Sequence, residues 1–225
     1  MGVYAITGGT TGIGAATKEI LQKQGHEVFN IDYRDGDICV DLSRPEGRKQ
    51  ALEELFHRYP EGLDGLICNA GVGPTMPIPT IFSLNFFASV ELAEGARPLL
   101  QKKKGCCVVT SSNSITHEYL PKDLVDMLTD VMDEKKALEV AKDLPVEMAP
   151  ACYAASKHAL ARWVRRISPS WATSGLRINA VAPGNTSTPM TQNMTPEQRA
   201  AALLIPIPTR YGRNEFLDAS EVANG

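Results

Sequence analysis

The amino-acid sequence predicts an α/β fold, a doubly wound parallel sheet with helices on both faces, in one domain over residues 1–225. Three observations carry the prediction. Short β-rich runs alternate with longer helical patterns, as βαβ units require. A glycine-rich turn, "TGGTTGIG", joins the first run to the first helix, and Asp32 ends the second run. Right-handed crossovers then favour a doubly wound sheet over most alternatives.

In chain order the strands are expected at 2–7 (GVYAIT), 27–31 (EVFNI), 37–41 (DICVD), 64–68 (DGLIC), 105–110 (GCCVVT) and 176–181 (LRINAV). Helical patterns occupy 12–24, 44–58, about 80–101 and 151–173. Two stretches break the rhythm. Residues 113–150 are longer than a usual connection. Within them "PKDLVDMLTDVMDEKKALEVAKDL" repeats Leu, Val and Met at helical spacing, so one or two amphipathic helices are expected. Residues 183–214, rich in Pro, Thr and Met, read as a mobile loop with a short helix at "TPEQRAAALL", opened by a Thr-Pro cap. Both follow strand C-terminal ends, the edge where open α/β sheets bind ligands.

The bulk numbers narrow the function. An apolar fraction of 43% and a charged fraction of 22% are those of an ordinary globular protein. A net charge of −3 gives no electrostatic reason to expect nucleic acid or an anionic membrane as partner. No apolar run approaches membrane-spanning length. The five cysteines show neither C-x-x-C nor a Cys/His metal spacing, so no metal is expected. Free cysteines suit a reducing, cytoplasmic compartment. "GVYAIT" reads as a buried strand and not as a secretory leader.

The turn carries the first chemistry. Gly8, Gly12 and Gly14 permit a tight bend and let backbone come close to a ligand. The helix that follows offers unpaired N–H groups and a positive dipole end to a pyrophosphate. Asp32 lies eighteen residues past Gly14, at the end of the second strand. An acid there accepts hydrogen bonds from the adenosine ribose and repels a 2′-phosphate, which predicts NAD(H) over NADP(H). Arg34 could accommodate such a phosphate. No arginine or lysine interrupts the turn itself, so Asp32 decides.

Further along, "CYAASKHAL" (152–160) sets Tyr153 four residues before Lys157, on one face of a helix. An ammonium fixed beside a phenol stabilises the phenolate and lowers its pKa toward that of a working proton donor.

Together these features resemble the short-chain dehydrogenase/reductase family and its Rossmann-type fold. "TGGTTGIG" (7–14) looks like the family's TGxxxGxG cofactor motif, and "CNAG" (68–71) its NNAG element with Cys in place of the first Asn. Asn85 in "SLNFF" fits its helix asparagine, Ser112 in "VVTSSNS" its serine, and Tyr153/Lys157 its YxxxK. "APGNTSTPM" (182–190) is similar to its PG…T segment. Within the family, "GIGAAT", "IDYRD", "DLSRPEGRKQA" and the 41-residue interval from Ser112 to Tyr153 resemble the bacterial 3α-hydroxysteroid dehydrogenase/carbonyl reductase subgroup, which also carries a helical insertion before its tyrosine.

The resemblance implies an NAD(H)-dependent oxidoreductase that interconverts a secondary alcohol and a ketone, here the 3α-hydroxyl or 3-ketone of a steroid or bile acid. Tyr153 would be the general acid/base and, with Lys157, a contact to the cofactor. Lys157 would lower the Tyr153 pKa and hold the nicotinamide ribose, Ser112 would share the charge of the substrate oxygen, and Asn85 would anchor a water leading from Lys157. Ser111 and Ser114 are runners-up to Ser112; strand alternation turns Ser111 to the opposite face, and the family pattern selects Ser112.

For the cofactor, the resemblance implies Gly8, Thr11, Gly12, Ile13 and Gly14 at the pyrophosphate turn and Asp32 at the ribose. Asp41 and Leu42 would stand at the adenine edge, an exposed strand-end acid being the other reading of Asp41. Asn69, Ala70 and Gly71 would line the stretch between adenosine ribose and nicotinamide. Pro183, Gly184, Thr186 and Thr188 would complete the nicotinamide end, with Thr188 on the carboxamide.

A steroid-sized pocket needs apolar walls. Met76, Pro77, Ile78, Met190, Met194, Leu203 and Leu204 are candidates, and core packing is the even alternative. The four histidines read as incidental: His117 as a solvated loop residue, His158 on another face from Lys157, His26 and His57 beside surface turns. The family forms homodimers or homotetramers and continues beyond the position of Gly225 with a helix, a seventh strand and a tail. Those residues are expected here too, since a sheet ending at its sixth strand leaves an apolar edge. The alternatives are a carbonyl, quinone or 3-oxoacyl reductase, and an NAD(H)-binding protein without turnover.

Overall fold

A computed structural model describes residues 1–116, 120–192, 194–203 and 216–224. Strand β1 (Val3–Thr7) leads into helix α1 (Gly12–Lys23), followed by β2 (Glu27–Asp32), the short β3 (Ile38–Cys39), α2 (Pro45–Arg58) and β4 (Gly65–Cys68). Helix α3 (Ile78–Phe82) continues through a π-helical turn (Ser83–Ala88) into α4 (Ser89–Lys103), then comes β5 (Cys106–Thr110). A 3₁₀ turn (Asn113–Thr116), α5 (Lys122–Asp126), a second π-helical turn (Met127–Val131) and α6 (Glu134–Asp143) precede the long α7 (Ala149–Thr173) and β6 (Arg177–Val181). The chain closes with β7 (Thr186–Ser187), α8 (Pro189–Gln192), α9 (Pro196–Leu203), β8 (Leu217–Asp218) and α10 (Ala219–Ala223).

The first six strands form one sheet in the order β3-β2-β1-β4-β5-β6, every pair parallel. Chain direction across the sheet reverses between β1 and β4, which opens a crevice at their C-terminal ends. The apolar runs of the sequence become central strands because both sheet faces are covered: Ala5, Ile6, Ile31 and Cys107 are fully buried. The flanking helices supply Leu55, Phe82, Phe86, Leu99 and Trp163 to one core. Among the described residues no helix is long and apolar enough to cross a membrane.

Three local features depart from expectation. The third strand shrinks from 37–41 to Ile38–Cys39. Asp37 turns its carboxylate back to accept from the Asn30 N–H at 2.7 Å, and Asp41 bends toward Ser43, so neither joins the ladder. The helix expected near 80–101 begins at Ile78 and contains the π-helical turn, where one extra residue aims Asn85 inward with no exposure. The two-residue β7 and β8 pair in parallel, Thr186 opposite Leu217, outside the main sheet. Elements that short show no periodicity to read.

The stretch 113–150 does form two helices. Asp133 caps α6, accepting from the Lys136 N–H at 3.2 Å. Helix α5 and the turn after it lie on α7, where Arg162 pairs with Asp126 and Arg166 with Asp130. Helix α6 is fastened on its other side by Arg48 of α2, whose side chain is 1% exposed and meets Glu134 at 2.6 Å and Glu91 of α4 at 2.8 Å.

Candidate active site

The glycine turn is built for close approach. Gly8 and Gly12 adopt φ of +69° and +56°, a region that side chains disfavour. A Cβ on Gly14 would stand 2.0 Å from the Gly8 carbonyl oxygen. Thr11 caps α1 without a side-chain bond and no acid enters the first turn, so the helix end keeps its attraction for an anion. The residues present therefore fit a dinucleotide pyrophosphate. Ile13 is half-buried just inside this helix.

Asp32 stands at the rim of β2 as expected, and its carboxylate accepts from the Thr10 N–H at 3.0 Å and the Tyr33 N–H at 2.7 Å. Those bonds fix it beside the turn. Arg34 is exposed, and its carbonyl accepts from the Thr10 hydroxyl at 3.2 Å. Next to Asp32 the sequence reading missed Asn30. This residue is 2% exposed, its Oδ1 accepts from the Gly9 N–H at 2.9 Å, and its Nδ2 donates to the Thr10 hydroxyl at 3.1 Å. The signal was a lone amide inside the apolar run "VFNI".

On the other side of the turn, the Thr7 hydroxyl, also missed, accepts from the Asn69 and Ala70 N–H groups at 3.0 and 2.9 Å. Asn69 in turn donates from Nδ2 to the Gly8 carbonyl at 3.1 Å. This ties the β4 loop to the glycine turn. Gly71 then faces both Asn85 and Lys157: a Cβ there would lie 2.9 Å from Asn85 Oδ1 and 3.2 Å from Lys157 Nζ. Asn85 is held by the Val72 N–H at 2.8 Å and the Val72 carbonyl at 3.0 Å.

Helix α7 brings Tyr153 and Lys157 to the same place. Ser112 is a polar neighbour of the Tyr153 phenol. Burial pushes that phenol above its ordinary value, and Ser112 opposes the rise. The Tyr153 pKa thus moves up where a same-face lysine led to the expectation of a fall, because burial outweighs the neighbouring Ser112. Lys157 instead donates to the Thr110 carbonyl at 2.8 Å, and burial of its ammonium brings its own pKa down to about 8. Ser111 points the other way, as strand alternation predicts, and donates to the Lys157 carbonyl at 2.8 Å.

The lysine makes stability pH-dependent. Its folded pKa lies below the unfolded 10.5, so the folded chain binds fewer protons between pH 8 and 10.5 and its stability rises through that window. Below pH 8 the burial penalty is fully present, on the order of 3 kcal/mol. Lys157→Met, which carries no charge, is expected to gain on wild type in urea unfolding at pH 7, and the gap between the two curves to shrink by pH 10.

Other assignments divide. Thr188 leans over the turn, its Cγ2 3.1 Å from where a Gly12 Cβ would be. Pro183 offers its carbonyl to the Asn113 N–H at 2.9 Å. Thr186 is 5% exposed and donates to the Gly184 carbonyl at 2.9 Å, shaping the loop from within. Asp41 accepts from the Ser43 hydroxyl at 2.6 Å and meets Arg44 at 3.3 Å, a turn-forming engagement. Leu42 sends its side chain into the core.

Of the apolar candidates, Met76 (41%) and Met190 (46%) are exposed, and Met190 Cγ lies 3.2 Å from a Gly73 Cβ position. Pro77 is exposed, and Met194 and Leu203 are half-buried. Ile78 takes the core alternative: at 5% exposure it is the first residue of a helix packed against α6 and α7. Leu204 and His117 lie outside the described residues. His158 borders a groove with Arg162, Arg165 and Arg166, away from Lys157.

Comparison with known proteins adds to this geometry. The family model described as short chain dehydrogenase matches residues 142–199, a span that contains Tyr153, Lys157 and the loop with Thr188. The chain is 37% identical over 194 residues to the 3-alpha-hydroxysteroid dehydrogenase/carbonyl reductase of Comamonas testosteroni, covering 85% of this chain and 76% of that one. It is 30% identical over 194 residues to a coniferyl-alcohol dehydrogenase of a Pseudomonas species, covering 82% and 73%. The crystal structure of the 3-alpha-hydroxysteroid dehydrogenase of Pseudomonas sp. B-0831, complexed with NADH, superposes with a TM-score of 0.88 at 34% identity, over 99% of this chain and 87% of that one.

Proposed function

The chain belongs to the short-chain dehydrogenase/reductase family and is an oxidoreductase, and from that premise we propose that it interconverts the 3α-hydroxyl and 3-keto groups of steroids or bile acids with NAD(H). One observation supports the chemistry: a buried phenol with Ser112 beside it, a buried ammonium and the glycine turn lie at the C-terminal rim of one sheet.

When bound, the dinucleotide supplies or accepts the hydride. Tyr153 donates a proton to the forming alkoxide in reduction and takes the alcohol proton, as phenolate, in oxidation. Ser112 hydrogen-bonds the same substrate oxygen and shares its charge. Lys157, held by the Thr110 carbonyl, presents its ammonium to the nicotinamide ribose, and Asn85 lies beside it on the route by which a proton leaves. Asp32 holds the adenosine ribose and disfavours a 2′-phosphate. The bond it accepts from the Thr10 N–H supports NAD(H) as the cofactor, because that bond sets the carboxylate at the turn.

The substrate is read from the likeness to the Comamonas and Pseudomonas hydroxysteroid dehydrogenases. A second reading, favoured by the likeness to the coniferyl-alcohol dehydrogenase, keeps the chemistry and exchanges the steroid for a smaller alcohol or ketone. Incubation with NAD+ and bile acids hydroxylated singly at 3α, 7α or 12α separates them. Growth of the NADH absorbance band with the 3α compound alone is expected, and about tenfold slower with NADP+. No growth with any steroid, but growth with coniferyl alcohol, would establish the second reading.

A further inference from the structure

We infer that Arg48 is a positioning residue for the adenine half of the cofactor, and that the inserted helix α6 controls it through Glu134. This rests on the proposed NAD(H) reading, together with the expectation that Asp41 and Leu42 stand at the adenine edge. The loop runs along the same rim as Asp32: Cys39 pairs with Asp32 in the ladder, and the Val40 N–H donates to the Asp32 carbonyl at 2.8 Å.

All five guanidinium N–H donors of Arg48 are engaged. Nε donates to the Leu42 carbonyl at 2.9 Å and Nη2 to the Ser43 carbonyl at 3.3 Å. Nη1 donates to Glu91 Oε2 at 2.8 Å and Glu134 Oε2 at 2.9 Å, and Nη2 to Glu134 Oε1 at 2.6 Å. Behind the loop, a Cβ on Gly47 would stand 2.1 Å from the Asp41 carbonyl oxygen, so the start of α2 lies directly on it. The loop is thus pinned between the α2 backbone and one charged side chain.

That side chain cannot stay buried on carbonyls alone. Its removal from water is offset only by opposite charge. Glu134 supplies a two-pronged bond from a side chain 20% exposed, and Glu91 a single bond from one 43% exposed. Without the Glu134 charge the guanidinium is drawn toward solvent, and the Leu42 and Ser43 carbonyls lose their donor. The insertion, sixty and more residues away in sequence from every adenine contact, thereby sets how the adenine is held.

ADP-ribose, which carries the adenosine half without nicotinamide, is the probe. Calorimetric titration of Glu134→Gln is expected to show an ADP-ribose Kd about tenfold weaker than wild type, a usual size for coupling between sites. The KM for NAD+ rises in parallel, while kcat at saturating NAD+ and the KM for the alcohol stay put. Should Glu134→Gln not fold, Glu134→Asp, which retains charge with shorter reach, is expected to show a smaller loss of the same kind. Unchanged ADP-ribose affinity in a folded variant overturns the inference, as does an equal rise in the KM for the alcohol, which signals general loosening. Failure of the wild-type chain to bind ADP-ribose or NADH overturns the dinucleotide reading itself, and the inference with it.

Discussion

Tyr153→Phe is expected to lower kcat by about two to four orders of magnitude, the usual contribution of a positioned acid or base. NADH affinity, read by fluorescence titration, is expected to stay within about twofold, because Tyr153 lies on α7 and not in the glycine turn. The pH profile adds a second signature. Burial raises the Tyr153 pKa, so in wild type the oxidative rate climbs with pH as phenolate forms. The phenylalanine variant loses that climb. Unchanged turnover, or a residual rate with the same alkaline rise, would remove Tyr153 from proton transfer and leave the neighbouring ammonium of Lys157 as the acid.

The second large effect belongs to the turn. Gly14→Ala places a methyl 2.0 Å from the Gly8 carbonyl oxygen, 2.6 Å from Asn69 Nδ2 and 2.8 Å from the Gly8 carbonyl carbon. Two of these atoms are backbone, so the turn itself must open. The strain is about 1–3 kcal/mol, or a fall in Tm of roughly 2–12 °C for a chain of this size. NADH binding is expected to weaken by about a hundredfold or more, because the N–H groups that would face the pyrophosphate move with the turn. Gly25→Ala is the control. Gly25 has φ +83° but nothing within 4 Å of its Cβ position, so this variant is expected to lose stability and retain NADH binding. Scanning fluorimetry with and without NADH distinguishes the two. A Gly14→Ala protein stabilised by NADH as strongly as wild type would refute the role of the turn.

Much of this site was legible because its signals are local. The glycine spacing, the acid at the end of a strand and the Tyr-x-x-x-Lys step each depend on a few neighbouring residues and on helix or strand period alone. The six main strands and their flanking helices were legible for the same reason, in that apolar runs with period 2 or 3.6 declare themselves. What stayed hidden depends on partners distant in sequence. Nothing near Arg48 says that Glu91 and Glu134 will enclose it. Nothing near Asn30 says that its amide will hold the Gly9 N–H. The direction of the Tyr153 shift also follows from how deeply the fold buries the phenol, and a same-face lysine was an incomplete guide to that. Ile78 was left between two readings for a related reason: an apolar residue at a loop-helix junction serves core and cleft equally well until the helix is docked.

The wide turn at Ser83–Ala88 has a practical corollary for anyone redesigning this region. A wheel projection drawn from Ile78 to Lys103 at constant pitch slips by one residue, about 100°, across that turn. Substitutions chosen for the cleft-facing side of one half would, if extrapolated to the other, land on the wrong flank. The two halves need separate wheels, with Asn85 as the point where the phase is reset.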